Sequence, residues 1–196
     1  MSLFAVIRHA PTAWSEAGRI QGRSDPPLSP RGAAAARGWR VPPELDGFLW
    51  AASPLARAVA TARLLGAAEP AIEPALAEMS WGEWEGRRLA ELRAEFGAAM
   101  AARESARLDF RAPSGESPRE VAVRLGLYLA RLAAAGKPVA AVTHKGVIRT
   151  LLALATGWDM RDKPPCRLAP AAAHLFRLDR GGRPAIERLN LPLAAP

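Results

Sequence analysis

Leu3-Phe4-Ala5-Val6-Ile7 is an unbroken apolar run, closed by the polar pair Arg8-His9 and then by Pro11. A short apolar run bounded in this way reads as a strand buried on both faces. Two more runs of the same kind occur. Gly47-Phe48-Leu49-Trp50-Ala51 is the second and Val139 to Thr143 the third. Helical segments lie between them. Ser29-Pro30-Arg31 gives an N-cap with Pro at the first helical position, opening a helix toward Trp39. Ser53-Pro54 starts another through Leu65, with Gly66 as its stop. Residues 70–87 hold prolines, glycines and two tryptophans, and form a long connection. Arg88 to about Arg107 reads as helix, broken by Pro113 to Gly115. Ser117-Pro118-Arg119-Glu120 is a capping box for a long helix to Ala135, which Gly136 ends. Val147 to Thr156 is helical. Ala171 to Asp179 and Ala185 to Leu191 are two last strands around the turn Gly181-Gly182. Strands alternating with helices build βαβ units and a largely parallel sheet covered on both faces.

The composition sets limits. The chain has 196 residues, 49% hydrophobic and 23% charged, which is ordinary for a globular protein. This length suits one domain, taken as residues 1–196. No apolar run approaches the ~20 residues of a membrane helix. Met1 to Ile7 has no basic n-region, so it is not a signal peptide, and a cytoplasmic protein is expected. Cys166 is the one cysteine, which excludes an internal disulfide and a multi-cysteine zinc site. The net charge of +8 raises nucleic acid as a partner. Against it, no block of five like charges exists, and aromatic residues are only 6%. Lys137, Lys145 and Lys163 are the only lysines, so the excess is arginine, a bias that accompanies the many alanines and prolines. Neither nucleic acid nor a membrane is expected as a partner.

In open parallel sheets a ligand binds beyond the carboxyl ends of the strands. There the first strand ends in Arg8-His9, and the third in Thr143-His144. The second leads through Ser53 to Arg57, in the first turn of the next helix. Taken singly, each has an ordinary explanation: a hydrogen-bonded loop histidine, or a solvated arginine. Together, two of three histidines at strand ends suggest a shared crevice. Histidine can act as nucleophile or acid–base. Arginine offers paired donors to a phosphoryl group. The combination points to phosphate chemistry without proving it.

These residues carry a resemblance. Leu3 to Gln21, LFAVIRHAPTAWSEAGRIQ, resembles the opening "RHG-x-T-x-x-N…G-R-x-Q-G" of the histidine phosphatase (phosphoglycerate mutase-like) superfamily. Ser53-Pro54-Leu55-Ala56-Arg57-Ala58, with Thr61-Ala62, is similar to its second block. Leu76 to Gly86 resembles "L-x-E-x-x-x-G-x-W-E-G", Gly115-Glu116-Ser117 a "G-E-S" helix start, and Val139 to Arg149 "V-S-H-G-G-x-I-R". The five blocks fall in family order and span most of the chain. The resemblance implies a three-layer α/β/α sandwich with a mostly parallel central sheet and a small helical or loop cap.

The resemblance also implies roles. His9 is the nucleophile that forms a phosphohistidine. Arg8, Arg57 and His144, the last kept protonated by the phosphate, surround the phosphoryl oxygens. Glu78 is the general acid, its pKa raised by burial beside Trp81, with Glu83 and Glu85 as competing carboxylates. Thr12, Ser15, Gln21 and Lys145 are expected at the phosphate or substrate. Neither metal nor cofactor is expected, since arginines take the part of a metal ion and no HExxH or P-loop pattern occurs. The chain departs from the pattern in places. Ala10 replaces Gly after the nucleophile. Ser15 stands where Asn contacts phosphate, and Lys145 replaces Gly after the second histidine, either solvated or a cation at the rim. His174 and Cys166 are given no role. Trp81 and Trp84 are expected to pack the cap.

The implied partner is a small phosphorylated metabolite, and the chain is expected to be a monomer or homodimer. The leading reading is a phosphomonoesterase. A mutase-type phosphotransferase and a non-catalytic phospholigand-binding module are the alternatives. The short stretch between Arg57 and Glu78 and the Trp81 to Gly86 block favour the phosphatase branch, and the full set of site residues disfavours a dead module.

Overall fold

A computed structural model describes residues 2–193, so the extreme ends of the expected 1–196 domain lie outside the described residues. Strand β1 (Ser2–Arg8) is followed by helices α1 (Ala13–Glu16) and α2 (Pro30–Gly38), then strand β2 (Leu49–Ala52), helix α3 (Ala56–Leu64) and strand β3 (Ala71–Ile72). Helices α4 (Leu89–Ser105) and α5 (Pro118–Ala135) come next. Strand β4 (Val139–Thr143), helix α6 (Lys145–Thr156), and strands β5 (Ala172–Leu178) and β6 (Pro184–Pro192) complete the order. The sheet runs β3-β2-β4-β1-β5-β6. The β3, β2, β4 and β1 strands are mutually parallel, while β5 and β6 are antiparallel to their neighbours. This is the expected α/β sandwich.

The apolar run that opens the chain lies at the middle of it. Phe4, Ala5, Val6 and Ile7 have no exposed surface. Their alternation splits the interior in two. Phe4 and Val6 pack with Val121, Leu125 and Leu129 of α5 and Leu151 of α6. Ala5 and Ile7 pack with Ala58 and Ala62 of α3. A two-residue period in a strand buried on both faces sends successive side chains into opposite layers.

Several boundaries differ from expectation, each for a local reason. Helix α3 begins at Ala56, not at Ser53: the Ser53 hydroxyl bonds His144 Nε2 and accepts from the Leu55 amide in the turn that leads into the helix. Helix α4 breaks helical geometry at Gly97, whose φ of 46° and ψ of −120° only glycine adopts readily. Helix α6 starts two residues early, with His144 at its N-cap. Strand β3 has two residues and α1 has four, too short to leave a periodic pattern. The α5 capping box is present: the Ser117 hydroxyl accepts from the Glu120 amide and the Glu120 carboxylate from the Ser117 amide.

Residues between β3 and α5 form the cap. Trp84 is buried, with its ring 6.0 Å from Phe96 and 6.1 Å from Phe110. Trp81 lies 5.3 Å from Phe110. These aromatics are the core of the cap, as expected.

Candidate active site

Three parallel strands end side by side and deliver the polar residues to one place. The His9 amide donates to the Thr143 carbonyl at 2.9 Å, and the Ser53 amide to the Val142 carbonyl at 3.0 Å. The His9 and His144 rings therefore stand 5.1 Å apart, both buried in side chains that the sheet fixes.

His9 Nδ1 lies 2.7 Å from the Ala10 carbonyl oxygen. A carbonyl only accepts, so Nδ1 carries the proton and Nε2 keeps its lone pair. Burial, with help from the Arg57 and Arg8 charges, lowers the His9 pKa to about 3. The ring is neutral. Ala10 itself is fixed: its amide donates to the Thr61 hydroxyl at 3.0 Å, which in turn donates to the Arg57 carbonyl at 2.8 Å. The methyl that replaces the usual glycine is fully buried and blocks nothing.

The charge expected on His144 is one held by the phosphate, and the residues around the ring do not supply it by themselves. Complete burial, then His9, Arg57 and Arg8, push its pKa well below 6.5, so the ring is neutral until an anion joins it. Nε2 and the Ser53 hydroxyl share a 2.7 Å hydrogen bond, while the buried Nδ1 has no partner. Arg8 Nε and Arg57 Nε are likewise buried without partners. Buried polar atoms left unpaired need an explanation, and here three of them occur in one cluster of donors.

Arg57 is more committed than its sequence context suggests. Its side chain is wholly buried. Nη1 donates to the Ser24 carbonyl at 2.8 Å and to Asp25 at 3.0 Å, and Nη2 to the Gly22 carbonyl at 2.9 Å. That leaves Nε–H and one Nη2–H.

Glu78 stands across the site, held at both oxygens. It accepts from the Met79 amide at 2.9 Å and the Gly146 amide at 3.1 Å. Burial raises its pKa, partly opposed by those two amides and by Arg57 and Arg8. Gly146 permits the approach: a Cβ there would meet Glu78 Oε1 at 2.3 Å. The strand of residues carrying Glu78 is gripped by Arg124, which donates to the Ala75 and Ala77 carbonyls at 2.5 and 2.7 Å and pairs with Glu116 at 2.8 Å. Nothing in the sequence singled out Arg124, because its partners are distant in the chain.

The remaining expected residues divide. The Ser15 hydroxyl accepts from the Thr12 amide and gives its one proton to the Thr12 carbonyl, so it caps α1 and has none left to donate to phosphate. The Thr12 hydroxyl accepts from the Ser15 amide and donates to Gln21 Oε1 at 2.6 Å. Its proton is likewise spent within the chain. Gln21 keeps its amide N–H groups. Glu85 is not a solvent-facing charge: it accepts from the Arg23, Ser24 and Trp81 amides and the Ser24 hydroxyl. Burial works to raise its pKa, but these bonds leave it below the ordinary range. Gly22, at φ 53°, has no room for a Cβ beside Glu85. Glu83 accepts from the Ser114 hydroxyl at 3.0 Å. His174 is buried, its Nδ1 accepting from the Asn190 amide at 3.2 Å. Lys145, at the start of α6, has an exposed residue surface but a charged end that is half-buried beside Arg8 and Arg149. Among the described residues no three His, Cys, Asp or Glu groups are placed to hold a metal ion, and no helix is long and apolar enough to cross a membrane.

A family model described as the histidine phosphatase superfamily (branch 1) matches residues 4–192. A 2,3-bisphosphoglycerate-dependent phosphoglycerate mutase of Methylobacterium radiotolerans is 30% identical over 190 residues, 90% of each chain. The structure of a mycobacterial glucosyl-3-phosphoglycerate phosphatase complexed with VO3 gives a TM-score of 0.78 at 26% identity, covering 98% of this chain and 99% of that one. The alpha-ribazole phosphatase from Shigella flexneri gives 0.81 at 25% identity, covering 98% of both chains.

Proposed function

The chain belongs to the histidine phosphatase superfamily, and from that membership we propose that it hydrolyses small phosphomonoesters through a phosphohistidine on His9. The observation that carries the reading is the neutral, oriented His9 among unpaired cationic donors. Its Nε2 lone pair attacks phosphorus, forming a P–N bond as the ester P–O bond breaks. Glu78, whose burial favours the protonated form, gives its proton to the leaving oxygen. The resulting carboxylate then takes a proton from water, whose oxygen attacks phosphorus, breaks the P–N bond and releases phosphate. Covalent catalysis replaces one hard displacement by two easier ones.

Arg8 and the free Nε–H and Nη2–H of Arg57 supply donors to the phosphoryl oxygens, where charge accumulates in the transition state. His144 becomes protonated as the phosphate dianion enters, which reverses the electrostatic reason for its neutrality. Gln21 has amide donors free for the same oxygens. No metal is needed for these steps.

A second reading, a mutase that returns the phosphoryl group to an alcohol instead of water, is favoured by the phosphoglycerate mutase relative. The phosphatase-named structural neighbours favour hydrolysis. The test is p-nitrophenyl phosphate turnover, with a panel of phosphorylated metabolites and a 3-phosphoglycerate mutase assay alongside. Phosphate release that survives EDTA, and that falls by about 10³-fold or more in His9→Ala, is expected. Substantial turnover in that variant would sink the nucleophile. Mutase activity without phosphate release would select the second reading.

A further inference from the structure

A cavity of about 460 Å³ adjoins the site, closed on one side by the segment between α6 and β5. It is lined by Arg8, Lys145, Arg149, Lys163 and Arg167, and no carboxylate lines it. Asp162, although next to Lys163 in the chain, is not part of the wall. Arginines elsewhere are mostly paired, for example Arg119 with Asp109 and Arg188 with Glu44. Among the described residues no ion pair involves any of these five cations. Like charges gathered without counter-charge repel one another and gain nothing from the fold. Burial and the Arg8 and Arg149 charges together lower the pKa of Lys145, opposed only by Glu78. Arg149 is braced in place, its guanidinium 5.0 Å from the centre of the Trp158 ring. The wall that carries Lys163 and Arg167 is stiffened by Pro164, Pro165 and Pro170.

The cavity shares walls with the clefts at the reaction centre. Arg8 also lines the cleft that holds His9, and Lys145 and Arg149 also line the one that holds Glu78. Arg8 is thus the wall between His9 and the cavity, placing the two within reach of one extended ligand.

We propose that this cavity is a second anion subsite, and that the substrate is a phosphomonoester carrying a further carboxylate or phosphate on the same skeleton, held by Lys145, Arg149, Lys163 and Arg167. The proposal rests on the phosphomonoester reading of the His9 site. The Lys145 departure from the family pattern then has a use, since glycine at that position would leave one cation fewer at the junction of the two compartments.

The test separates binding from turnover. In His9→Ala protein, calorimetry compares glycerol 3-phosphate with 3-phosphoglycerate, and fructose 6-phosphate with fructose 1,6-bisphosphate. Within each pair, the ligand with the second anion is expected to bind about tenfold more tightly or better. The first pair reports a carboxylate and the second a phosphate. Adding Lys163→Gln and Arg167→Gln, both on exposed side chains, should bring each ratio down to about two while the single-anion ligands keep their affinity. Equal affinities within both pairs before these substitutions, or an equal loss for both members of each pair after them, overturns the subsite. Hydrolysis of p-nitrophenyl phosphate by the unmodified protein is read separately. Its absence would remove the hydrolase reading and leave the binding ratios standing.

Discussion

At the scale of single residues, the hydrogen bond from His9 Nδ1–H to the Ala10 carbonyl is central to the proposed chemistry, because it decides which nitrogen is free. Glu78 is the other decisive residue, and its elevated pKa gives a pH dependence with a definite sign. Proton donation fails as pH rises through that raised value, and attack fails as pH falls toward about 3, where His9 takes up a proton. Replacing Glu78 by Gln should lower kcat by about 10² to 10⁴-fold with alkyl phosphates and much less with p-nitrophenyl phosphate. A leaving-group series measures this, and an equal loss across the series contradicts the acid role. His9 and His144 were legible in the sequence because each follows an apolar run that can only be a buried strand. The Ser15 and Thr12 hydroxyls, expected at the phosphate, are engaged within the chain, because a phosphate contact and a capping box use the same hydroxyls and only coordinates show which one takes the proton.

At the scale of elements, the start of α6 joins sequence to mechanism. His144 caps it, Lys145 opens it, and the Gly146 amide holds Glu78. Gly146→Ala tests the arrangement. Alanine favours the helix by up to about 1 kcal/mol, and the Cβ would displace only the tip of a flexible side chain. The melting temperature should therefore hold or rise, while kcat for alkyl phosphates drops by about tenfold or more as Glu78 is pushed aside. Melting curves and kcat together check this, and unchanged kcat would show that Glu78 works equally well displaced. Most of the helices and strands were readable from apolar period and capping signals. The grip of Arg124 on the Ala75 and Ala77 carbonyls was not, since a long-range bond from a helix to a loop leaves no local signature. Nor was the start of α3, where Ser53 serves another element.

At the scale of the molecule, all three histidines are buried and neutral. Burial holds His9 at about 3, His174 at about 4 and His144 well below 6.5. Each folded value lies below the unfolded one, so the unfolded chain takes up protons first as the medium acidifies. Stability is lost as pH falls from about 6.5 through about 4. The lowered carboxylates, Glu85 and Glu116 among them, act in the same direction, and Glu78 acts against them. The melting temperature should fall steadily over this range, and added phosphate should flatten the fall by favouring protonated His144. Differential scanning calorimetry with and without phosphate checks both, and a level profile would mean the imidazoles titrate normally.

The place of β1 in the sheet has a consequence for how the protein is made. The strand that leads to His9 leaves the ribosome before its partners, since Phe4 pairs with Val139 on one side and with Phe176 on the other. Until those partners are synthesised, the most apolar segment of the active site has no neighbour. The site is complete only after His144, which follows β4, has been translated, so a nascent chain stalled before β4 would present a bare, aggregation-prone strand to the chaperones that meet it.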